Sequence, residues 1–258
     1  MEDEAPARRT PGPQTIPRPS EGNVRPGRPA PWHGVPAGRR SGITLDVLLE
    51  RLDAAGRNLA LTEPPDPVDE LSGMPQSTAS GLADSAVLVA VFEREGEARI
   101  ILTRRSGHLR RHRGEVSFPG GRLDAGESAV DGALREAHEE VGLDPALVTP
   151  VAWLHALATL ASGSLIRPIV ATLGAEPLLV AQPTEVERAF DVSLADLLED
   201  GAFREERWRR PSPRGGADAE GFFPIYFYDV AGETIWGATA RILTELCCIA
   251  VGVSVQLR

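Results

Sequence analysis

The chain has 258 residues, 42% hydrophobic and 25% charged, which suits one large domain or two small ones and excludes a wholly disordered chain. Its net charge is -10 and it contains no lysine, so all the basic charge outside histidine is arginine. This balance argues against a nucleic-acid coat protein but leaves a nucleotide substrate open, because a local arginine cluster and a divalent metal reverse the sign inside one pocket.

Residues 1–40 hold nine prolines, five glycines, seven arginines and four acids, and read as a disordered leader. They lack the apolar segment of a secretory signal, and no run in the chain approaches the roughly 18 apolar residues of a membrane span. The expectation is a protein of the reducing cytoplasm with neither a membrane nor a nucleic-acid partner. A second segment, 41–82, begins with a helix: Leu45, Val47, Leu48, Leu49 and Leu52 make an apolar stripe that ends near Gly56. Pro64, Pro65, Pro67 and Pro75 then mark a linker over residues 63–82.

The third segment, 83–258, changes to strands. Runs at 85–92 and 100–103 flank a polar turn centred on Gly96, which predicts a hairpin. A short strand at 116–118 stops at Pro119, Gly120 and Gly121. Residues 128–141 form the clearest helix, with Ala129, Ala133, Ala137 and Val141 on one face and Gly142 at the C-cap position. Strands follow at 148–153 and 165–173, a short helix from Thr184, another at 194–198, a strand at 222–230 and a terminal helix from Trp236 to about Val251. Strands interleaved with a few helices predict an α/β core. Cys247 and Cys248 are adjacent in the apolar terminal stretch and read as small buried residues. That helix serves equally as core or as the face of a homodimer.

The chemistry concentrates in one stretch. Glu136, Glu139 and Glu140 stand at i, i+3 and i+4, which puts three carboxylates on one face of the predicted helix. Such like charges weaken a bare helix, and a hard divalent ion such as Mg²⁺ or Mn²⁺ removes the penalty. Glu127 lies near the helix start, beside the same metals or paired with Arg135. Gly120 and Gly121 let the preceding loop turn tightly and approach a phosphate or metal.

Gly121, Glu127, Arg135-Glu136-Ala137, Glu139-Glu140 and Gly142-Leu143 resemble the Nudix box at every fixed position. The resemblance implies the Nudix fold, a mixed sheet sandwiched between helices. It also implies a metal-dependent hydrolase of a nucleoside diphosphate linked to another group, with residues 83–258 as the hydrolase domain. A second stretch, Ile101-Leu102-Thr103-Arg104-Arg105-Ser106 with Arg110, Gly114 and Phe118-Pro119-Gly120-Gly121, is similar to the motif that precedes the box in coenzyme A pyrophosphatases of that superfamily. So are Pro183-Thr184-Glu185-Val186 and the run from Ile235 to Leu243. Ile101 replaces the usual leucine, and residues 161–164 depart from the proline–serine pair of many relatives.

The substrate implied is coenzyme A or an acyl-CoA, cut to 3',5'-ADP and 4'-phosphopantetheine or its acyl form. The metal ligands implied are Glu136, Glu139 and Glu140, with Glu127 in support. Glu136 and Glu185 are the two candidates for general base, and Arg135 orients Glu127 or another carboxylate. Independently of the resemblance, Arg104, Arg105, Arg110, Arg111 and Arg113 form a basic cluster in an acidic chain, suited to bidentate phosphate contacts. Arg105 and Arg110 are preferred for the 3'-phosphate because they occupy the motif positions, with Arg104, Phe118, Gly120 and Gly121 completing the substrate-binding set. Two alternatives stay open. One is a pyrophosphatase for ADP-ribose, NADH or another nucleoside diphosphate derivative. The other is a binding domain without turnover.

Overall fold

The computed structural model describes residues 14, 16–59, 82–109, 112–159, 163–209 and 220–254. Along the chain lie β1 (Val24–Pro26), α1 (Ala37–Arg40), α2 (Leu45–Ala54), β2 (Ala83–Arg94), β3 (Glu97–Arg105), β4 (Val116–Ser117), β5 (Gly120–Arg122) and α3 (Ala129–Val141). There follow β6 (Val148–Trp153), β7 (Leu157–Thr159), β8 (Ser164–Leu173), β9 (Val186–Ser193), α4 (Leu194–Leu198), β10 (Phe203–Arg209), β11 (Phe222–Val230), β12 (Glu233–Trp236) and α5 (Gly237–Val251). The linker expected over 63–82 falls almost wholly outside the described residues.

Local chemistry accounts for the main elements. β2 and β3 pair antiparallel across Glu95 and Gly96, both with positive φ (55° and 77°), the conformation of a two-residue hairpin turn. In α3, the Ser128 side chain accepts the Asp131 amide at 3.1 Å, and Gly142 ends the helix in the left-handed region at φ 69°. In α2, Thr44 caps the helix, and of the apolar stripe Leu48 and Leu52 are buried.

Among the described residues the strands form two sheets. The larger is mixed: β2 runs parallel to β8, and the remaining pairings are antiparallel, in the order β4-β3-β2-β8-β6 with β5 on β2, β7 on β8 and β9 on β3. Alternation along β2 divides the core. Leu88, Ala90 and Phe92 pack with Ala133, Ala137 and Val141 of α3, whereas Val89 and Val91 pack with α2 and α5 on the other face. The mixed sheet is thus sandwiched between helices, as expected. The smaller sheet, β1-β10-β11-β12, is antiparallel and leads directly into α5.

Two expectations are corrected. The leader is not without structure: β1 pairs with β10, and Trp32 is 1% exposed, stacked with Tyr228 and edge-on to Phe203. One buried indole anchors a segment whose composition otherwise reads as a tail. The short helix expected from Thr184 is a turn followed by β9, because Val186, Phe190 and Val192 bury one side against β3, and that pairing overrides local propensity. Cys247 and Cys248 are free and buried in α5, as the apolar context indicated.

Candidate active site

The site begins where β2 meets the glycine turn. Gly120 has φ 151°, and a Cβ there would stand 2.4 Å from the Ala86 carbonyl oxygen. A Cβ on Gly121 would stand 2.5 Å from the Glu136 carboxyl carbon. Gly120 is therefore required by its close approach to the β2 backbone, whereas Gly121 lets the Glu136 carboxylate of α3 come close. The Gly120 amide donates to Glu140 Oε2 at 3.2 Å, which ties the turn to the helix.

Glu140 is 2% exposed, and burial pushes its carboxyl up to about 7, against the lowering effects of the Gly120 amide and Arg105. Arg105 places Nη1 3.5 Å from Glu140 Oε1. Burial also raises Glu136, opposed by Arg135, while Glu139 and Glu185 add repulsion. Glu127 behaves oppositely: the Arg135 hydrogen bond and then the Asp124 amide hold its carboxyl below the ordinary range.

Arg135 organises the carboxylates. Its Nε and Nη2 bind Glu127 at 2.9 and 3.0 Å, and its Nη1 reaches Glu136 at 2.9 Å and Glu139 at 3.3 Å. Glu127 is thus paired with Arg135, one of the two places open to it. Glu139 is exposed at the rim. Glu185 comes from the turn before β9, where its carbonyl accepts the Ser106 amide at 2.7 Å, and its charge is felt at both Glu136 and Glu140.

The donor set is all carboxylate oxygen, the chemistry of a hard divalent ion. The repulsion among Glu136, Glu140 and Glu185 fits such an ion. Among the described residues no three of these groups already converge as a ligand cluster. Arg135 instead bridges Glu127, Glu136 and Glu139.

Beside this acidic face lies a cavity of about 390 Å³. Arg105, Gly120, Gly121 and Arg122 line it, with Tyr226 of β11 and Arg241 of α5 across from β2. Two expected binders are placed elsewhere. Arg104 is 4% exposed and is held by Glu187 at 3.2 Å and by Glu233, so it is a buried ion-pair residue. Phe118 is 2% exposed within the core and supports the turn from beneath. Strand alternation carried the signal for Arg104, since neighbours on β3 point to opposite faces. Arg110 and Arg111 lie outside the described residues. Tyr226 and Arg241 had no role in the sequence reading, although Arg241 sits inside the conspicuous run from Ile235 to Leu243.

The NUDIX domain family matches residues 82–211. The chain is 36% identical over 176 residues to Nudix hydrolase 22, chloroplastic, of Arabidopsis thaliana, covering 64% of this chain and 54% of that protein. It is 33% identical over 178 residues to the Nudix hydrolase NudL of Yersinia enterocolitica, covering 67% and 84%. The chain therefore spans just over half the length of the plant relative and most of the bacterial one. Among solved structures it is similar to a Nudix hydrolase from M. smegmatis, RenU, at 21% identity and a TM-score of 0.39, over 44% of this chain and 71% of that one. Among the described residues no helix is long and apolar enough to cross a membrane.

Proposed function

This chain belongs to the NUDIX family, and we propose that within it the chain hydrolyses the pyrophosphate of coenzyme A or its thioesters, releasing 3',5'-ADP and 4'-phosphopantetheine or its acyl form. One observation carries the reading. Arg105, from the stretch that resembles the coenzyme A motif, lines the cavity and reaches Glu140 of the box at 3.5 Å. A guanidinium beside the most buried box carboxylate is positioned for the scissile phosphates and not only for a remote one.

Glu136, Glu139 and Glu140, with Glu127 in support, are the residues that would hold Mg²⁺ or Mn²⁺. The bound ion supplies charge neutralisation on the phosphates and an acidified water. Arg135 fixes Glu127 through two hydrogen bonds and keeps Glu136 turned toward Gly121. The Gly120 amide orients Glu140. Proton acceptance from the attacking water falls to Glu136 or Glu185, both of which bear on the Glu140 charge. The substrate is a small molecule, and the working compartment is proposed to be the cytoplasm. Homodimer formation through α5 has lost support, because most of that helix is buried within this chain.

A second reading, hydrolysis of ADP-ribose, NADH or another nucleoside diphosphate derivative, is favoured by Arg104, whose charge is committed to Glu187 and Glu233 and so leaves the basic cluster smaller than the sequence implied. A hydrolysis panel decides between them. It compares coenzyme A, 3'-dephospho-coenzyme A, ADP-ribose and NADH with Mg²⁺ and with Mn²⁺, using Glu140→Gln as the blank. Coenzyme A is expected to turn over fastest, and faster turnover of ADP-ribose would establish the second reading instead.

A further inference from the structure

The cavity beside the acidic face has a polar end and an apolar end, and strand register sets their order. Arg122 of β5 stands opposite Ser85 of β2, Ser85 opposite Ile166 of β8, and Ile166 opposite Leu157 of β7. All of these residues line the cavity, so one row of side chains across neighbouring strands makes its floor. Successive strand spacings give that row a length of about 14 Å. It starts at the glycine turn, with Gly121 and Arg105 at hand, and ends on aliphatic side chains. Ser164, two places before Ile166 on β8, adds a hydroxyl, and Ile225 of β11 and Ala238 of α5 add apolar surface.

The chemistry of the walls selects which half of a coenzyme A substrate belongs here. The adenosine half carries the 3'-phosphate dianion, and a dianion taken out of water needs uncommitted positive charge. Among the described residues away from the mouth, Arg241 is already engaged and His112 meets the Glu115 carboxylate at 2.9 Å, so neither is uncommitted. The pantetheine arm is uncharged, with two amides along an otherwise aliphatic chain. Aliphatic walls carrying a few hydroxyl and N–H groups suit such a chain. One donor is in place. Trp236 lines the cavity, and its Nε1 is buried with no hydrogen-bond partner among the described residues. A buried donor without a partner is costly, and an amide carbonyl of the arm would supply one.

We propose, resting on the coenzyme A reading, that this cavity receives the pantetheine arm of the substrate. The pyrophosphate then lies at the mouth by Arg105 and Arg122, the thiol or thioester end lies toward Leu157, and the adenosine half with its 3'-phosphate stays outside in solvent. Burial of the neutral arm against the aliphatic floor supplies the binding energy, and the dianion keeps its water.

Isothermal titration of the Mg²⁺-loaded protein with 4'-phosphopantetheine and with 3',5'-ADP compares the wild type with Ile166→Phe and Ala238→Leu, which narrow the cavity from its floor and from α5. Both variants are expected to bind 4'-phosphopantetheine about tenfold more weakly and 3',5'-ADP within about twofold of wild type. The retained 3',5'-ADP affinity also shows that they fold. Should they fail to fold, tryptophan emission decides: 4'-phosphopantetheine should change it, 3',5'-ADP should not, and Trp236→Phe should abolish the change. An emission change that survives Trp236→Phe, or one caused by 3',5'-ADP instead, overturns the assignment. Weaker 3',5'-ADP binding with 4'-phosphopantetheine retained would put the adenosine half in the cavity and overturn it too. So would equal weakening of both, no change in either, or no binding of 4'-phosphopantetheine by the wild type. Failure of the proposed function is read separately, as a wild type that does not hydrolyse coenzyme A in the panel. Hydrolysis of coenzyme A with unaltered 4'-phosphopantetheine affinity in both variants overturns the cavity assignment alone.

Discussion

Replacing Glu140 by glutamine is expected to stabilise the metal-free protein while abolishing turnover. Glu140 is 2% exposed, and burial moves its carboxyl from 4.5 up to about 7. Between those values the folded protein holds a proton that the unfolded chain has released. Stability is therefore fullest below about pH 4.5 and declines as pH rises through 7, reaching a loss of about 3 kcal/mol by pH 8. Glutamine imitates the protonated carboxyl and can still accept from the Gly120 amide, so the variant escapes most of that loss. For a chain of this size about 3 kcal/mol corresponds to roughly 5–10 °C in Tm. Differential scanning fluorimetry in EDTA at pH 5 and pH 8 reads the effect through the four tryptophans. The gap between variant and wild type should be small at pH 5 and open at pH 8. Added Mg²⁺ at pH 8 should raise only the wild type. A variant less stable than wild type at pH 8 in EDTA would refute the reasoning, because it would mean that the buried charge is compensated within the fold.

The two glycines should separate fold from chemistry. Gly120→Ala sets a Cβ 2.4 Å from the Ala86 carbonyl at φ 151° and should lower Tm strongly in a thermal scan. Gly121→Ala meets only the mobile end of Glu136 and should keep the fold while cutting kcat at least tenfold; wild-type turnover in that variant would show that the Glu136 position is unimportant. Arg104→Ala leaves buried Glu233 with only the longer contact to Arg188 at 3.5 Å, and should cost about 3 kcal/mol in a urea titration, with Arg104→Met/Glu233→Gln recovering part of it. Trp32→Ala should cost a similar amount, about 3–5 kcal/mol, and a loss below 1 kcal/mol would return the leader to the status of a tail.

The parts legible in the sequence are those decided locally. The hairpin at Gly96, the cap at Gly142 and the apolar face of α3 depend on residues within one turn of each other, and the three box carboxylates share a face through helical spacing alone. The parts that escaped depend on distant partners. Nothing near Trp32 shows that Phe203 and Tyr228 will enclose it. Thr184 and Glu185 resemble a helix start, and only the edge of β3 makes a strand of the residues that follow. Tyr226 looks like any aromatic of a buried strand until α5 is packed beside it with Arg241.

The arginines carry the same lesson into function. Among the described residues of this acidic chain most guanidinium groups meet a carboxylate: Arg94 and Arg99 hold Asp191, Arg57 joins buried Glu245 at 3.1 Å, and Arg135 holds Glu127. Arg104 and Arg105 are neighbours of identical chemistry, yet the period of two in β3 sends one to Glu233 and the other to the cavity. Which of them meets a phosphate is thus fixed by what lies opposite in three dimensions. Arg105 faces Glu140 at 3.5 Å, with its Nε buried and without a hydrogen-bond partner among the described residues, a looser arrangement than the close pair that holds Arg104. A guanidinium held that loosely beside a carboxylate already raised by burial can turn to an incoming anion at little electrostatic cost, which is the property a substrate arginine needs and a structural one lacks.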